Sequence, residues 1–200
     1  MSRKQVIAVD IDDVLAAESE FIIAYGNKQW GHTLTLEDYQ ENWSDMWGVD
    51  MDEMERRAAE LHLPGIQTSY RLIEGGHEVL KRLKQRYDLI ILTSRRGVLK
   101  VETLEWINRV FADVFSEIHF TGFYDTTRTD RHLLTKGELA KQIGADYLID
   151  DQPKHCFAAA EAGMKSVLFG DYAFSRHLEL PDGVTRCNTW AEVLDYFDGQ

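Results

Sequence analysis

Cysteine is nearly absent from this 200-residue chain: Cys156 and Cys187 stand alone. Two thiols so far apart make neither a disulfide framework nor a thiolate metal motif, and they read as reduced cysteines of a cytoplasmic protein. Basic residues are also scarce, 22 Lys and Arg against 34 Asp and Glu, for a net charge of −12. That balance excludes a nucleic-acid polymer or an anionic membrane surface as partner, since both are captured by basic patches. A small anion is not excluded, because one divalent cation and a local cationic side chain reverse the sign of a cleft. No apolar run approaches the ~20 residues of a membrane span. The apolar stretch after Arg3–Lys4 is broken by Asp10, Asp12 and Asp13, so it is not expected to act as a leader peptide. Seven histidines show no HxxxH or HExxH spacing, and there is no internal repeat or low-complexity tract.

What is present is organised around Gln5–Leu15, QVIAVDIDDVL. The run Val6–Val9 is short and rich in β-branched residues, which suits a strand buried on both faces. It ends on Asp10, Asp12 and Asp13, and strand C-termini are where open parallel sheets place their ligands. Paired carboxylates on a turning backbone can share a cation, and one can attack an electrophile while the other handles a proton.

Residues 16–73 differ in character. They hold Trp30, Trp43 and Trp47, three of the five tryptophans, and no strand-like run. Helices are expected over Glu18–Trp30, stopped by Gly31, and over Asp52–Leu63, closed by Pro64–Gly65, with a short helix and irregular loop in Thr35–Trp47. The stretch is too long for a single crossover helix and reads as an all-helical insertion. From Gly75 the pattern alternates. Strands are expected at Asp88–Thr93, Ser116–Phe120, Asp146–Asp150 and Lys165–Phe169. Helices are expected at Gly76–Tyr87, Val98–Val114 (through Val101, Leu104, Ile107 or Val110, and Phe111), Lys136–Ile143, Pro153–Ala162 and Thr189–Phe197, the last opened by a Thr189-x-x-Glu192 capping box. Tyr124–His132 is polar enough for a surface loop. The expected fold is α/β, a Rossmann-like doubly wound parallel sheet with a small helical insertion after its first strand. The core is 1–15 with 74–200, and the insertion is 16–73.

Four features then recur at strand or helix ends in order: Asp10-x-Asp12, Thr93–Ser94, Lys136 and Asp150–Asp151. The series resembles the haloacid dehalogenase superfamily, whose mobile helical cap is inserted where 16–73 falls. More narrowly, LIILTSRRGVLKVETLEWINRVF and YLIDDQPKHCFAAAEAG resemble the C-type 5′(3′)-deoxyribonucleotidases. The resemblance implies a phosphomonoesterase in which Asp10 attacks phosphorus, Asp12 serves as acid and base, and Thr93, Ser94 and Lys136 hold the phosphoryl oxygens. It also implies Mg²⁺ held by Asp10, Asp12 (through its carbonyl), Asp150 and Asp151, and a small phosphorylated metabolite, a (deoxy)nucleoside monophosphate, as substrate. A sugar-phosphate phosphatase or phosphomutase is the alternative within the superfamily. A receiver-like phospho-acceptor module is the alternative outside it. Phe21, Tyr25, Trp43 and Trp47 either stack on a nucleobase or form the insertion's own core. Arg95 and Arg96 either approach a phosphate or ribose or are surface charge. Asp13 is read as a loop or capping residue.

Overall fold

The structure, a computed structural model, describes residues 3–122 and 135–200, so the expected loop at Tyr124–His132 lies outside the described residues. Six strands form one parallel sheet: β1 (Val6–Val9), β2 (Asp88–Thr93), β3 (Glu117–Phe120), β4 (Tyr147–Asp150), β5 (Lys165–Phe169) and β6 (Val184–Cys187). Their spatial order is β3-β2-β1-β4-β5-β6. The pleat explains why the central strands read as unbroken apolar runs. Ile7 and Val9 pack on one face with Ile91 and Ile149, and Ala8 packs on the other with Ile90, Leu92 and Leu148. On the first face, α4 (Gly76–Leu83), α5 (Lys100–Val110) and α8 (Trp190–Asp198) bury Leu80, Trp106 and Phe197. On the second, α6 (Lys136–Gln142) and α7 (Pro153–Glu161) present the small residues Ala140 and Ala159. This is the α/β, Rossmann-like doubly wound architecture that the alternation predicts. No helix among the described residues is long and apolar enough to cross a membrane.

Two departures from the sequence pattern have physical causes. The pattern does not predict β6, an edge strand in which only Val184 and Cys187 are buried, because two apolar residues in four carry no periodic signal. The helix expected from Val98 instead starts at Lys100, after a 3₁₀ turn over Gly97–Leu99. It buries Thr103, Trp106 and Ile107, while Val101, expected on the inner face, is 69% exposed. Trp106 has the largest apolar surface on the helix, and its burial sets the rotation.

Residues 16–73 contain α1 (Glu18–Trp30), α2 (Trp43–Trp47) and α3 (Met51–Leu61). The strands entering and leaving this segment are tied together at its base. Ala17 N–H donates to Arg71 O at 2.8 Å, and Ile73 N–H donates to Leu15 O at 2.9 Å. Within the segment, Ile22, Ile23, Met46, Trp47 and Leu61 form a separate apolar cluster, with Phe174 of the main body packed against it.

One contact on the second face fixes the position of α6. A Cβ on Gly137 would lie 2.7 Å from the Ala158 carbonyl carbon and 2.7 Å from the Ala159 nitrogen, backbone atoms of α7 that cannot rotate away. Gly137→Ala is therefore expected to push α6 outward and to lower the unfolding free energy by about 1–3 kcal/mol, the usual cost of overpacking. Urea denaturation of the variant checks this, and an unchanged midpoint would show that the two helices tolerate separation.

Candidate active site

The direction of chain progression reverses between β1 and β4, and in such sheets the crevice beyond the strand ends at that point is where ligands bind. Register brings the first acids together. Val9 pairs with Ile149, so the next residues, Asp10 and Asp150, are neighbours, and Asp10 N–H donates to Ile149 O at 3.0 Å. Thr93 closes β2 beside them, fully buried, its hydroxyl accepting from Arg95 N–H at 3.2 Å.

Lys136 arrives from the other side of the crevice as the first residue of α6. A capping box fixes that helix start: Glu138 N–H donates to Thr135 Oγ1 at 3.1 Å, and Thr135 N–H donates to Glu138 Oε2 at 2.7 Å. The close approach at Gly137 then carries the Lys136 side chain inward until it is 1% exposed. Its Nζ lies 2.8 Å from Asp10 Oδ1 and 2.7 Å from Asp150 Oδ2. Both are ion pairs at hydrogen-bonding distance, closed in a buried site. Burial opposes the Lys136 charge, yet the Asp10 and Asp150 carboxylates hold the ammonium above its ordinary range.

Asp10, Asp150 and Asp151 each offer a carboxylate oxygen, all within 4.8 Å of one another. Asp151 is steadied by Gln152, whose Nε2 donates to its Oδ2 at 2.7 Å. Three carboxylates share one ammonium, and the imbalance shows in their proton affinities. Burial pushes Asp10 up to about 7, with Asp150 and Asp12 adding to the rise and Lys136 opposing it. Asp151 is driven well above the carboxylate range by burial and then by Asp150. A buried, all-oxygen, over-negative donor set of this kind fits a hard divalent cation.

Asp12 does not face that cluster with its carboxylate. It is gripped by Arg95, whose Nη2 lies 2.6 Å from Oδ1 and whose Nε lies 2.9 Å from Oδ2. The Arg95 guanidinium is buried and lies over the rings of Trp106 and Tyr70, 5.6 and 6.0 Å from their centroids. Sequence reasoning leaves Arg95 open between anion contact and surface charge; the structure makes it the buried partner of Asp12. Its place directly after Thr93–Ser94, at a strand end that faces the crevice, is the available signal. Asp13 adopts a left-handed φ of 55° and its carboxylate accepts from Ser19 N–H at 3.0 Å and Ser19 Oγ at 2.9 Å, a capping contact on α1.

Over these groups lies a cavity of about 440 Å³. Asp10, Asp12, Ser94, Arg95, Lys136 and Asp151 line its floor, and Tyr39, Trp43, Met54, His62 and Gln67 of the inserted segment line its far side. Of the aromatic residues singled out in the sequence, Trp43 is on this wall. Phe21 and Trp47 are not. Phe21 packs on Tyr70, ring centroids 4.8 Å apart, and Trp47 is buried against Trp30 and Trp43 in the segment's own core. Tyr25 is likewise part of that packing. His62 and Gln67 carry no spacing signal in the sequence. Burial, and secondarily Arg96, lower the His62 imidazole to about 4.

The fold is that of haloacid dehalogenase-like hydrolases. A family protein of this type from Streptococcus pneumoniae superposes with a TM-score of 0.67 at 15% identity, covering 98% of this chain and 100% of that one. A candidate hydrolase of the same superfamily from Bacillus subtilis, solved bound to magnesium, gives 0.64 at 12% identity over 98% and 100% of the two chains. The sequence is more specific: residues 4–197 match the family described as 5′ nucleotidase, deoxy (pyrimidine), cytosolic type C protein, and the chain belongs to that family. A Halalkalibacterium halodurans protein named as a candidate nucleotidase is 28% identical over 198 residues, 98% of this chain and 94% of that protein. The chain is thus a superfamily phosphatase, a hydrolase of phosphoric monoesters.

Two outcomes follow from this geometry. Arg95→Met should leave the Asp12 carboxylate without its partner and lower the unfolding free energy by about 3 kcal/mol, the low end for breaking a buried pair because Asp12 keeps some solvent contact. Arg95→Lys should recover little, since an ammonium neither forks onto the carboxylate nor stacks between the rings; guanidinium denaturation measures both. For His62, the unfolded state with a pKa of about 6.5 binds more protons than the folded one between pH 4 and 6.5. The His62 contribution to stability should therefore fall as pH drops through that window and be constant above it, and His62→Gln should remove this contribution, seen as the difference between the thermal melts of variant and wild type from pH 4.5 to 7.5.

Proposed function

We propose that the protein is a Mg²⁺-dependent phosphomonoesterase that works through an aspartyl-phosphate on Asp10 and takes (deoxy)nucleoside monophosphates as substrates. The observation that carries this reading is the Lys136 ammonium held between Asp10 and Asp150, with Asp151 beside them, on the floor of a cavity walled by the inserted segment. In this reading Asp10 attacks phosphorus in line and the bond from phosphorus to the leaving oxygen breaks. Asp12, positioned by Arg95, serves as the acid through which a proton reaches that oxygen. Water then attacks the aspartyl-phosphate, Asp12 takes the proton back, and the bond to Asp10 breaks to release inorganic phosphate. Lys136 helps keep Asp10 anionic against burial, and with Ser94 and the Thr93 hydroxyl it holds the phosphoryl oxygens as charge accumulates on them.

Asp10, Asp150 and Asp151, with the Asp12 carbonyl, would hold the Mg²⁺. When bound, the ion offsets the repulsion between an anionic nucleophile and an anionic ester. The net negative donor set supports a dication, and a superfamily neighbour is bound to magnesium. The family description, with its deoxy and pyrimidine terms, supports a nucleotide over a sugar phosphate, and Trp43 supplies an aromatic wall for a base. Family membership also favours turnover over the receiver-like alternative. Residues 16–73 act as a cap that excludes water and gates release; Phe21 and Trp47 contribute by shaping that cap. The family's cytosolic description and two unpaired, buried thiols support a cytoplasmic site of action.

Phosphate release from a panel of nucleoside and sugar monophosphates, with Mg²⁺ and with EDTA, tests the reading. Nucleotide turnover that EDTA abolishes and Mg²⁺ restores is the expected result. Asp10→Asn should lose roughly a thousandfold or more in kcat with its circular dichroism unchanged, as loss of a nucleophile does. Metal-independent turnover, or an active Asp10→Asn, would overturn it.

A further inference from the structure

We propose that Gln67 is a specificity-determining residue, its side-chain amide pairing with the hydrogen-bonding edge of the substrate's nucleobase. The inference rests on the nucleotide reading above and deepens it. Gln67 opens a 3₁₀ turn, Gln67–Ser69, on the limb of the inserted segment that returns to the sheet. It is 4% exposed and lines the cavity, yet its Oε1 has no hydrogen-bond partner. Buried amides are almost always satisfied, and leaving an acceptor desolvated without a donor is costly. A structural glutamine would have turned its carbonyl to a backbone N–H. Here the amide is kept in the wall of a cavity that receives a ligand, and a ligand donor is the partner it lacks.

The chemistry of the missing partner follows from the group. A carboxamide offers one acceptor and an adjacent donor in a plane, and it matches an N–H lying beside a carbonyl, as on uracil or thymine, through two parallel bonds. The same cavity offers such a planar group an aromatic face in Trp43, an apolar one in Met54, and neutral polar contacts in Asn42 and His62, alongside the ionisable Glu18, Glu41 and Arg96. A sugar phosphate offers the amide single hydroxyls and a phosphorylated carboxylic acid only acceptors, so neither presents the coplanar donor and acceptor that match both its atoms. A site built to hydrogen-bond its substrate rejects analogues that leave its polar groups unpaired.

The test uses the full chain with Mg²⁺ and three substrates: 2′-deoxyuridine 5′-monophosphate, its N3-methyl derivative, and p-nitrophenyl phosphate. Wild type is expected to lose about 10–100-fold in kcat/KM on N3 methylation, the range for one buried hydrogen bond. Gln67→Leu should lose a similar factor on the unmethylated nucleotide, mainly through KM, and should no longer distinguish it from the methylated one. On p-nitrophenyl phosphate the variant should stay within about twofold of wild type, because the floor of the site is untouched. Gln67→Glu, of the same shape, keeps the acceptor for N3–H and loses the donor to the neighbouring carbonyl, so it should weaken binding of the nucleotide while still rejecting the methylated one. Undiminished discrimination in Gln67→Leu, an equal fall on all three substrates, or wild type indifferent to N3 methylation would each overturn the role of Gln67. Wild type that hydrolyses p-nitrophenyl phosphate but no nucleotide would overturn the nucleotide reading itself, a result separate from the others.

Discussion

The ammonium of Lys136, buried between Asp10 and Asp150, is the contact on which the rest of this structure depends. A buried charge is tolerated only where it is paired, and here one cation answers to two carboxylates from strands that are adjacent in space and about 140 residues apart in sequence. Three structural features serve that meeting. Sheet register sets Asp10 next to Asp150. The Thr135–Glu138 capping box starts α6 at the right residue. The missing side chain of Gly137 lets α6 come close enough to α7 for Lys136 to reach.

The pairing is incomplete by design of its charge count. Asp151 joins the cluster without a cation of its own, and Asp10 is raised to about 7 despite Lys136. A site left over-negative in a low-dielectric floor favours a divalent cation and a phosphoryl group together over either alone, since each offsets the charge of the other. Asp12 is kept out of this contest by Arg95. Asp10 and Asp12, the first carboxylates after β1, therefore sit in opposite environments, one in a carboxylate cluster and the other on a guanidinium. Environments that differ in this way are how neighbouring carboxyls acquire different tasks.

The cavity is similarly divided. Its floor is charged and gathers at strand and helix ends, while its far wall comes from residues 16–73 and mixes aromatic, apolar and neutral-polar groups with the acids Glu18 and Glu41. The central groups of the site were legible in the sequence because each terminates a strand or begins a helix that periodicity identifies: Asp10 after Val6–Val9, Thr93 after DLIIL, Asp150 after YLI, Lys136 ahead of ELAKQI. The wall was not legible. Trp43 lines it and Trp47 does not, although they share one face of α2 and their rings touch, because Trp43 is half-buried at the edge of the segment's apolar cluster while Trp47 is buried within it against Trp30. Arg95 was likewise ambiguous, since nothing local distinguishes a guanidinium that meets Asp12 from one that meets solvent.

The sequence by itself determined the order and type of the central elements, the helical nature of residues 16–73, and the placing of Asp10, Thr93, Lys136 and Asp150 at element ends. Those follow from burial periodicity and from chain connectivity, which are local. Tertiary structure decided the partner of Asp12, the edge strand β6, the rotation of α5 about Trp106, and which side chains of residues 16–73 face the cavity. Each of these depends on what packs opposite, and a single strand of text does not contain the surface that a side chain will meet.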